Sequence, residues 1–410
     1  MRAAFALMIL CLVGSPSFAD DKPPLAEKYL VEGKLADGEK ALQDVLKANP
    51  KDAQAQFGLG VTQFLRAVEH LAQDLHRHGF AARARTLGLG PDLKLPDHPD
   101  PKLVRYEDVR AMIQRWIDDL AAAESTLAKI DDPNVKLPLH FGQIRLDIDG
   151  DGTAGDGEIL LKIYASLNRQ ADQEITAEDA QAFVIGFDRG DVAWLRGYCH
   201  LLMAMSEAAL AHDGKRLFAH CAHLAFAKVE SPYAFLNEEP RRANGLPVNE
   251  ILDAIAAIHL MNFPVSEPKR MTAALGHLNS VITLSRESWK GYLAETDDDH
   301  EWIPNPKQTG VIPNVKVTDE MVQGWMGFLN EAESILAGKK LVPFWRGKPG
   351  KGVNIRRVFT EPRPFDLVLW VQGTAAVPYL EEGPVTTGET WQRLQRLFGG
   401  EFIGFAFWFN

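Results

Sequence analysis

Residues 192–211 read Val-Ala-Trp-Leu-Arg-Gly-Tyr-Cys-His-Leu-Leu-Met-Ala-Met-Ser-Glu-Ala-Ala-Leu-Ala. Val192, Leu195, Cys199, Leu202, Met205 and Ala209 recur every three or four positions, the period of one helix face turned toward a core. No Gly or Pro cluster interrupts the run, so the spacing predicts a helix over 192–211. Similar stripes predict helices over 107–129, 176–187, 215–229, 249–262 and 269–294. Thr318 stands as an N-cap before a further apolar face, Met321, Val322, Trp325, Phe328, Leu329, Ala332, Ile335 and Leu336, closed by Gly338. Strand signals are few. The best lies in Glu401–Phe409, where Phe405, Phe407 and Phe409 alternate. The fold class that follows is all-α: antiparallel helical hairpins in a multi-helix array, with a short strand-like C-terminal segment.

The chain is long enough for a large core, at 410 residues with 46% apolar and 24% charged side chains. That balance excludes a disordered or collagen-like chain, and a mean hydropathy of −0.15 does not suit a polytopic membrane protein. Arg2 followed by apolar Ala3–Val13 and then Ser17-Phe18-Ala19 before Asp20 has the layout of a cleaved secretory signal. Its apolar part is shorter than the roughly 20 residues a bilayer span needs. The expectation is a signal peptide over 1–19 and a periplasmic or secreted protein. The net charge of −11 grows by one unit more negative once Arg2 is removed. Such a charge repels phosphate backbones and anionic lipid, which excludes nucleic acid as an expected partner and leaves no membrane span after cleavage.

Two cysteines remain beyond the leader, Cys199 and Cys221. The turn His212-Asp213-Gly214 suggests that their helices form an antiparallel hairpin. Measured from that turn the two thiols lie ~9 Å out of register, at 1.5 Å rise per residue. A disulfide tolerates roughly 7 Å between Cα atoms, so two buried free thiols are expected. Of the tryptophans, Trp289, Trp302, Trp325, Trp345, Trp370, Trp391 and Trp408 crowd the last third, which reads as a bulky core.

Residues 25–60 carry Leu25-Ala26, Tyr29, Gly33, Gly38, Leu42, Val45 and Pro50, with Leu59-Gly60 following Leu25-Ala26 at a 34-residue period. This resembles one degenerate tetratricopeptide repeat. The resemblance implies two closely packed antiparallel helices and, for residues 20–130, a tetratricopeptide-like region through which another protein or peptide is bound.

The informative motif is Asp147-Ile-Asp149-Gly-Asp151-Gly-Thr153-Ala-Gly-Asp-Gly-Glu158. Carboxylates spaced by two on a tight turn repel one another unless a cation sits between them. Over its 12 positions the segment resembles the calcium loop of EF-hand proteins. That resemblance implies Ca²⁺ held by the side chains of Asp147, Asp149 and Asp151, the carbonyl of Thr153, and Glu158, with Gly152 at the sharp turn. Ala154 departs from the branched apolar residue usual at position 8, and no second loop of this quality occurs to pair with it. The segment 131–168 is therefore expected as a single structural calcium site, with residues 169–410 forming a helical body rich in aromatics near its end.

Catalytic signatures are weak: neither His-Glu-x-x-His nor Gly-x-Ser-x-Gly occurs. Gly347-Lys348-Pro349-Gly350-Lys351-Gly352 lacks the spacing of a phosphate loop and reads as a basic turn. His200, His220, His223 and Cys199 form a candidate zinc set, for which histidines packed at helix edges are the simpler account. His70 with Asp74, His76 with His78, and the run Asp297–Glu301 read as solvated polar surface. Two functions stay open. One is an exported, non-enzymatic calcium-binding scaffold or binding module. The other is an extracytoplasmic, hydrolase-like enzyme with its site under the proline-bearing loops Ser231–Pro247 or Asp297–Pro313.

Overall fold

The computed structural model describes residues 23–80, 97–167, 176–237, 248–312, 316–346, 350–398, 400 and 402–409. The expected leader, the glycine- and proline-rich stretch 88–96, most of the loop 231–247 and residues 347–349 of the basic turn lie outside them.

Helices dominate, as the periodicity predicts. In chain order they are α1 (Leu25–Val31), α2 (Leu35–Ala48), α3 (Ala53–Arg77), α4 (Tyr106–Leu127), α5 (Leu160–Leu167), α6 (Ala177–Ala182), α7 (Arg189–Leu210) and α8 (Lys215–Cys221). There follow α9 (Val248–Leu260), α10 (Pro268–Ala294), α11 (Asp319–Leu336), α12 (Ile355–Thr360), α13 (Leu367–Gln372), α14 (Gly388–Leu397) and α15 (Phe402–Phe409). Side-chain caps begin several of them. Asp52 accepts from Ala55 N, Asp188 from Gly190 N and Thr318 from Met321 N, each relieving an N–H that has no partner inside its helix.

Polar pairs fix the order and direction of the array. Gln63, His70 and Asp74 of α3 meet Thr126, Asp119 and Arg115 of α4, so the two run antiparallel. Glu124 of α4 meets Arg196 of α7, and Arg110 reaches the Leu210 carbonyl, again antiparallel. Asp191, His200 and Glu207 of α7 meet Tyr292, His277 and Arg270 of α10. The result is a row α3–α4–α7–α10 in which each helix reverses the last. At one end Gly190 faces Gly291 so closely that a Cβ on Gly291 would lie 2.9 Å from the Gly190 Cα. At the other end of the row, α1 and α2 pack on α3, with a Cβ at Gly58 falling 2.8 Å from that of Ala26. One core joins Ala26, Leu30, Phe57, Leu137, Ile148, Ile185 and Val192, residues drawn from all three stretches outlined above.

Several expectations are corrected. The helix over 176–187 stops at Ala182, because Ile185–Phe187 pairs antiparallel with Leu137–Leu139. The helix over 215–229 ends at Cys221 and tightens into a 3₁₀ turn. The C-terminal segment is helix α15, not a strand. Aromatics fill so many of its positions that both periods are satisfied, and packing decides: Phe402 and Phe409 share the core of Trp289, Trp325 and Phe398. Trp289 and Trp325 are fully buried, in keeping with the core reading, whereas Trp345 is exposed. Both cysteines are buried and free, but not by hairpin geometry. Cys199 packs with Ala67, Ile117 and Leu210, while Cys221 packs with Leu224, Ala257 and Leu260 in a separate cluster. Burial pushes both thiols up, Cys221 to about 11, so neither is a ready nucleophile.

The Gly190–Gly291 approach yields a prediction. Gly291→Ala should cost about 1–3 kcal/mol through overpacking. Gly276→Ala in the same helix, where nothing lies within 4 Å of an added Cβ, should instead gain about 0.5–1 kcal/mol from helix propensity. Urea denaturation of both variants checks this, and stabilisation by both would show that the two helices do not meet closely.

Candidate functional site

The acidic loop forms a compact turn on the outside of the array. Gly150 (φ +76°) and Gly152 (φ +92°) take left-handed backbone where a Cβ would strain the chain, which is the requirement expected of the sharp-turn position. Asp147 accepts from Gly150 N (2.8 Å) and Gly152 N (3.1 Å), Asp149 from Asp151 N (3.0 Å), and Asp151 from both the N–H and the hydroxyl of Thr153. These bonds fix each aspartate against the backbone of the turn. Together they bring carboxylate atoms of Asp147, Asp149 and Asp151 within 4.8 Å of one another.

Glu158 does something different. Its Oε1 accepts from Ile148 N (2.8 Å) and its Oε2 from Gly155 N (2.6 Å), so it ties the loop's two ends together instead of joining the three aspartates. Burial and the nearby Asp149 charge raise its pKa, against the lowering effect of those N–H groups. The Asp151 carboxyl is held low by the Thr153 hydroxyl and N–H.

The loop is gripped from behind by α3. Glu69 accepts from Asp147 N (2.9 Å), Gln73 donates to the Asp147 carbonyl (2.7 Å), and the His76 ring donates through Nδ1 to the Asp149 carbonyl (2.9 Å). These residues stand at i, i+4 and i+7, one helix face, so a straight helix presents all three to one stretch of backbone. Sequence reasoning missed them. His76 and Asp74 are buried rather than solvated. A polar stripe on an otherwise apolar helix was the available signal.

On its other flank the loop meets the α1–α2 turn. Gly33 (φ +67°) sits so near that a Cβ there would overlap the Cβ of Ala154, and Arg145 N donates to the Leu30 carbonyl (3.0 Å). This accounts for the departure at position 8. Where a paired loop would be met by a branched side chain, this loop meets a glycine turn, and only a small residue fits. Asp156, outside the cluster, makes an exposed ion pair with Arg145 (3.0 Å).

A second acidic cluster was not foreseen. Asp188 and Asp191 flank the start of α7, Glu295 follows α10, and Glu301 turns inward from the loop after it. Oxygens of Asp188, Glu295 and Glu301 lie within 4.8 Å of one another. The reading of Asp297–Glu301 as solvated surface fails at Glu301, which is only 4% exposed. Backbone topology explains the inward turn: Glu301 bridges Gly310, and its carboxylate accepts from Asp299 N. Asp191 also accepts from the Tyr292 hydroxyl (2.9 Å). The flanking charges are turned elsewhere: Lys136 to Asp297, and Arg189 to Glu287 (2.8 Å). Burial, then the neighbouring carboxylates, push Asp191 well above the usual range, Glu295 up likewise, and Glu301 up to about 7.

The zinc candidates are not assembled. His200 faces His277 and Glu124, His223 pairs with Asp253, and His220 bonds the Arg216 carbonyl. Among the described residues no helix is long and apolar enough to cross a membrane. Compared with family models, curated proteins and solved structures, the chain matches none.

Because the protonated carboxyls are favoured by folding, the stability they supply is fully present below the ordinary carboxylate range. It is lost as pH rises through about 7 at Glu301 and further at Glu295. Glu301→Gln should therefore match wild type near pH 5 and exceed its urea midpoint at pH 8.5. Parallel pH dependence of the two proteins would show that Glu301 ionises normally.

Proposed function

We propose that the protein is an exported, non-enzymatic helical scaffold in which Ca²⁺ binds at Asp147–Glu158 and locks that loop to the array. The observation that carries this reading is the convergence of three aspartates on a glycine-permitted turn whose backbone is already fastened by Glu69, Gln73 and His76. Hard oxygen donors of net negative charge fit calcium rather than a softer metal. Asp147, Asp149 and Asp151 would hold the ion with the Thr153 carbonyl. Glu158 would either support the loop through its two N–H contacts or turn to complete the shell. Bound calcium supplies the positive charge that three crowded carboxylates lack. With the Gly33 turn in place of a partner loop, the role is structural and involves no opening motion.

The binding-module part of the reading is supported from a different place than the tetratricopeptide-like start. Ile251, Leu252, Ile255 and Ile258 of α9 are each more than half exposed, a contiguous apolar surface of the kind that meets protein partners. In the α1–α3 region only Leu25 stands out among large apolar side chains.

The alternative, an enzyme with its site beneath Asp297–Pro313, is favoured by the upshifted carboxyls of Asp191, Glu295 and Glu301, since such shifts gather at catalytic sites. Against it stands their burial at a junction of α7, α10 and the loop, where a structural role accounts for them.

Binding a lone, exposed loop of this kind should give a dissociation constant on the order of 10⁻⁵ to 10⁻³ M. Free calcium at a hundred times that value should raise stability by about 2.7 kcal/mol. Asp147→Ala and Asp149→Asn should abolish the gain, Glu158→Gln should remove most of it, and Asp156→Ala should leave it intact. Melting curves with calcium and with chelator decide the matter. A wild-type midpoint that does not move overturns the proposal, and a large change in helicity overturns the purely structural role.

A further inference from the structure

Where the end of α7 and the start of α10 meet the segment 358–379, the chain forms a half-open cavity of about 260 Å³. It is smaller than the clefts that hold drug-sized molecules, so its natural occupant is a small one. Its walls are chiefly apolar. Met271 closes one side, and Phe365 is held in place by stacking on Phe263 at 6.0 Å between ring centres. Trp370 and Tyr379 form a further wall, stacked at 6.0 Å and nearly parallel (14°). These rings are fixed by more than their own contacts. Asn262-Phe263 pairs in register with Phe365-Asp366, and the Tyr379 hydroxyl is satisfied by the Glu361 carbonyl.

Two polar side chains, Arg363 and His212, share the lining. Arg363 lines the cavity and, among the described residues, makes no ion pair. Glu361, two residues away, is bonded to Arg357 at 2.7 Å and feels the Arg363 charge only through space. His212 spends Nδ1 on the Ala208 carbonyl (2.8 Å), which leaves Nε2 as the ring's remaining polar atom. An apolar pocket lined by aromatic rings, with a guanidinium that makes no salt bridge among the described residues, is complementary to one chemistry. It suits a planar ring or branched apolar body ending in a carboxylate, since Arg offers a planar fork matched to that anion and aromatic faces take the body.

We propose that this cavity binds a small aromatic carboxylate, with its ring between Met271, Phe365 and the Trp370–Tyr379 pair and its carboxylate on Arg363. The residues involved are separate from the acidic loop, so this inference does not depend on calcium binding. Phenylacetate and indole-3-acetate serve as probes, titrated into the full chain by calorimetry, with 2-phenylethanol as the uncharged counterpart of phenylacetate. At least one of the two acids should bind saturably, and 2-phenylethanol at least tenfold more weakly than phenylacetate. Arg363→Gln should weaken the acids at least tenfold, while Arg363→Lys should keep part of the affinity. Arg363 is exposed and makes no salt bridge among the described residues, so the melting curve of Arg363→Gln should overlay the wild type, which separates lost binding from lost folding. Ala375→Leu, which fills the cavity from another side, should abolish binding of both acids. Absence of saturable heat with both acids overturns the proposal. So does equal binding of phenylacetate and 2-phenylethanol, or undiminished affinity in Arg363→Gln.

Discussion

The contact between α7 and α10 is the constraint on which most of the structure depends. Two glycines, Gly190 and Gly291, let the helices approach to backbone distance, and from that point the pair runs on through His200–His277 to Glu207–Arg270. On one side α7 supports α4 and through it α3. On the other, α10 carries Trp289 and Tyr292 into the aromatic core built with α11 and α15. The same approach forces the groups at the crossing, Asp188, Asp191, Tyr292 and Glu295, into one small volume. A close helix crossing and a crowded set of carboxyls are thus two results of one geometric choice.

The acidic loop depends on the array in a comparable way. Its carboxylates are arranged by its own backbone N–H groups, yet its position is set by α3 and by the turn between α1 and α2. Main-chain contacts from Glu69, Gln73 and His76 leave the aspartate side chains free to face one another. Local sequence makes the site's shape, and long-range packing makes its place.

What could be read from the chain follows from the range of the forces involved. Helices over 192–211, 269–294 and 319–336 were legible because their apolar stripes are long and set by local spacing. So was the glycine at the sharp turn of the acidic loop, since Gly152 answers a purely local backbone demand. The stop at Ala182 was not, because it is set by the pairing of Ile185–Phe187 with a strand some 45 residues earlier. Nor was α15, whose phenylalanines satisfy two periods at once until Trp289 and Trp325 choose between them. The partner of α7 was misassigned for a related reason: proximity in sequence favours α8, but the glycine contact that selects α10 joins residues a hundred positions apart. Glu301 was hidden because its burial arises from how the loop 295–312 closes over α7, and nothing in an acidic run says which member will turn inward.

The interlock of Gly33 with Ala154 has a consequence for how this protein can vary. The two positions are distant in the chain yet share one small space, so neither is able to accept a larger side chain while the other stays as it is. Gly33 is bound further by its positive φ, which leaves Ala154 as the member that must remain small. A homologous chain that builds the same loop without a second one beside it should carry this pair together: a glycine ending the first short helix, and a residue no bulkier than alanine at the eighth loop position. The pair is a two-position signature by which such chains can be told from those whose loops come in twos.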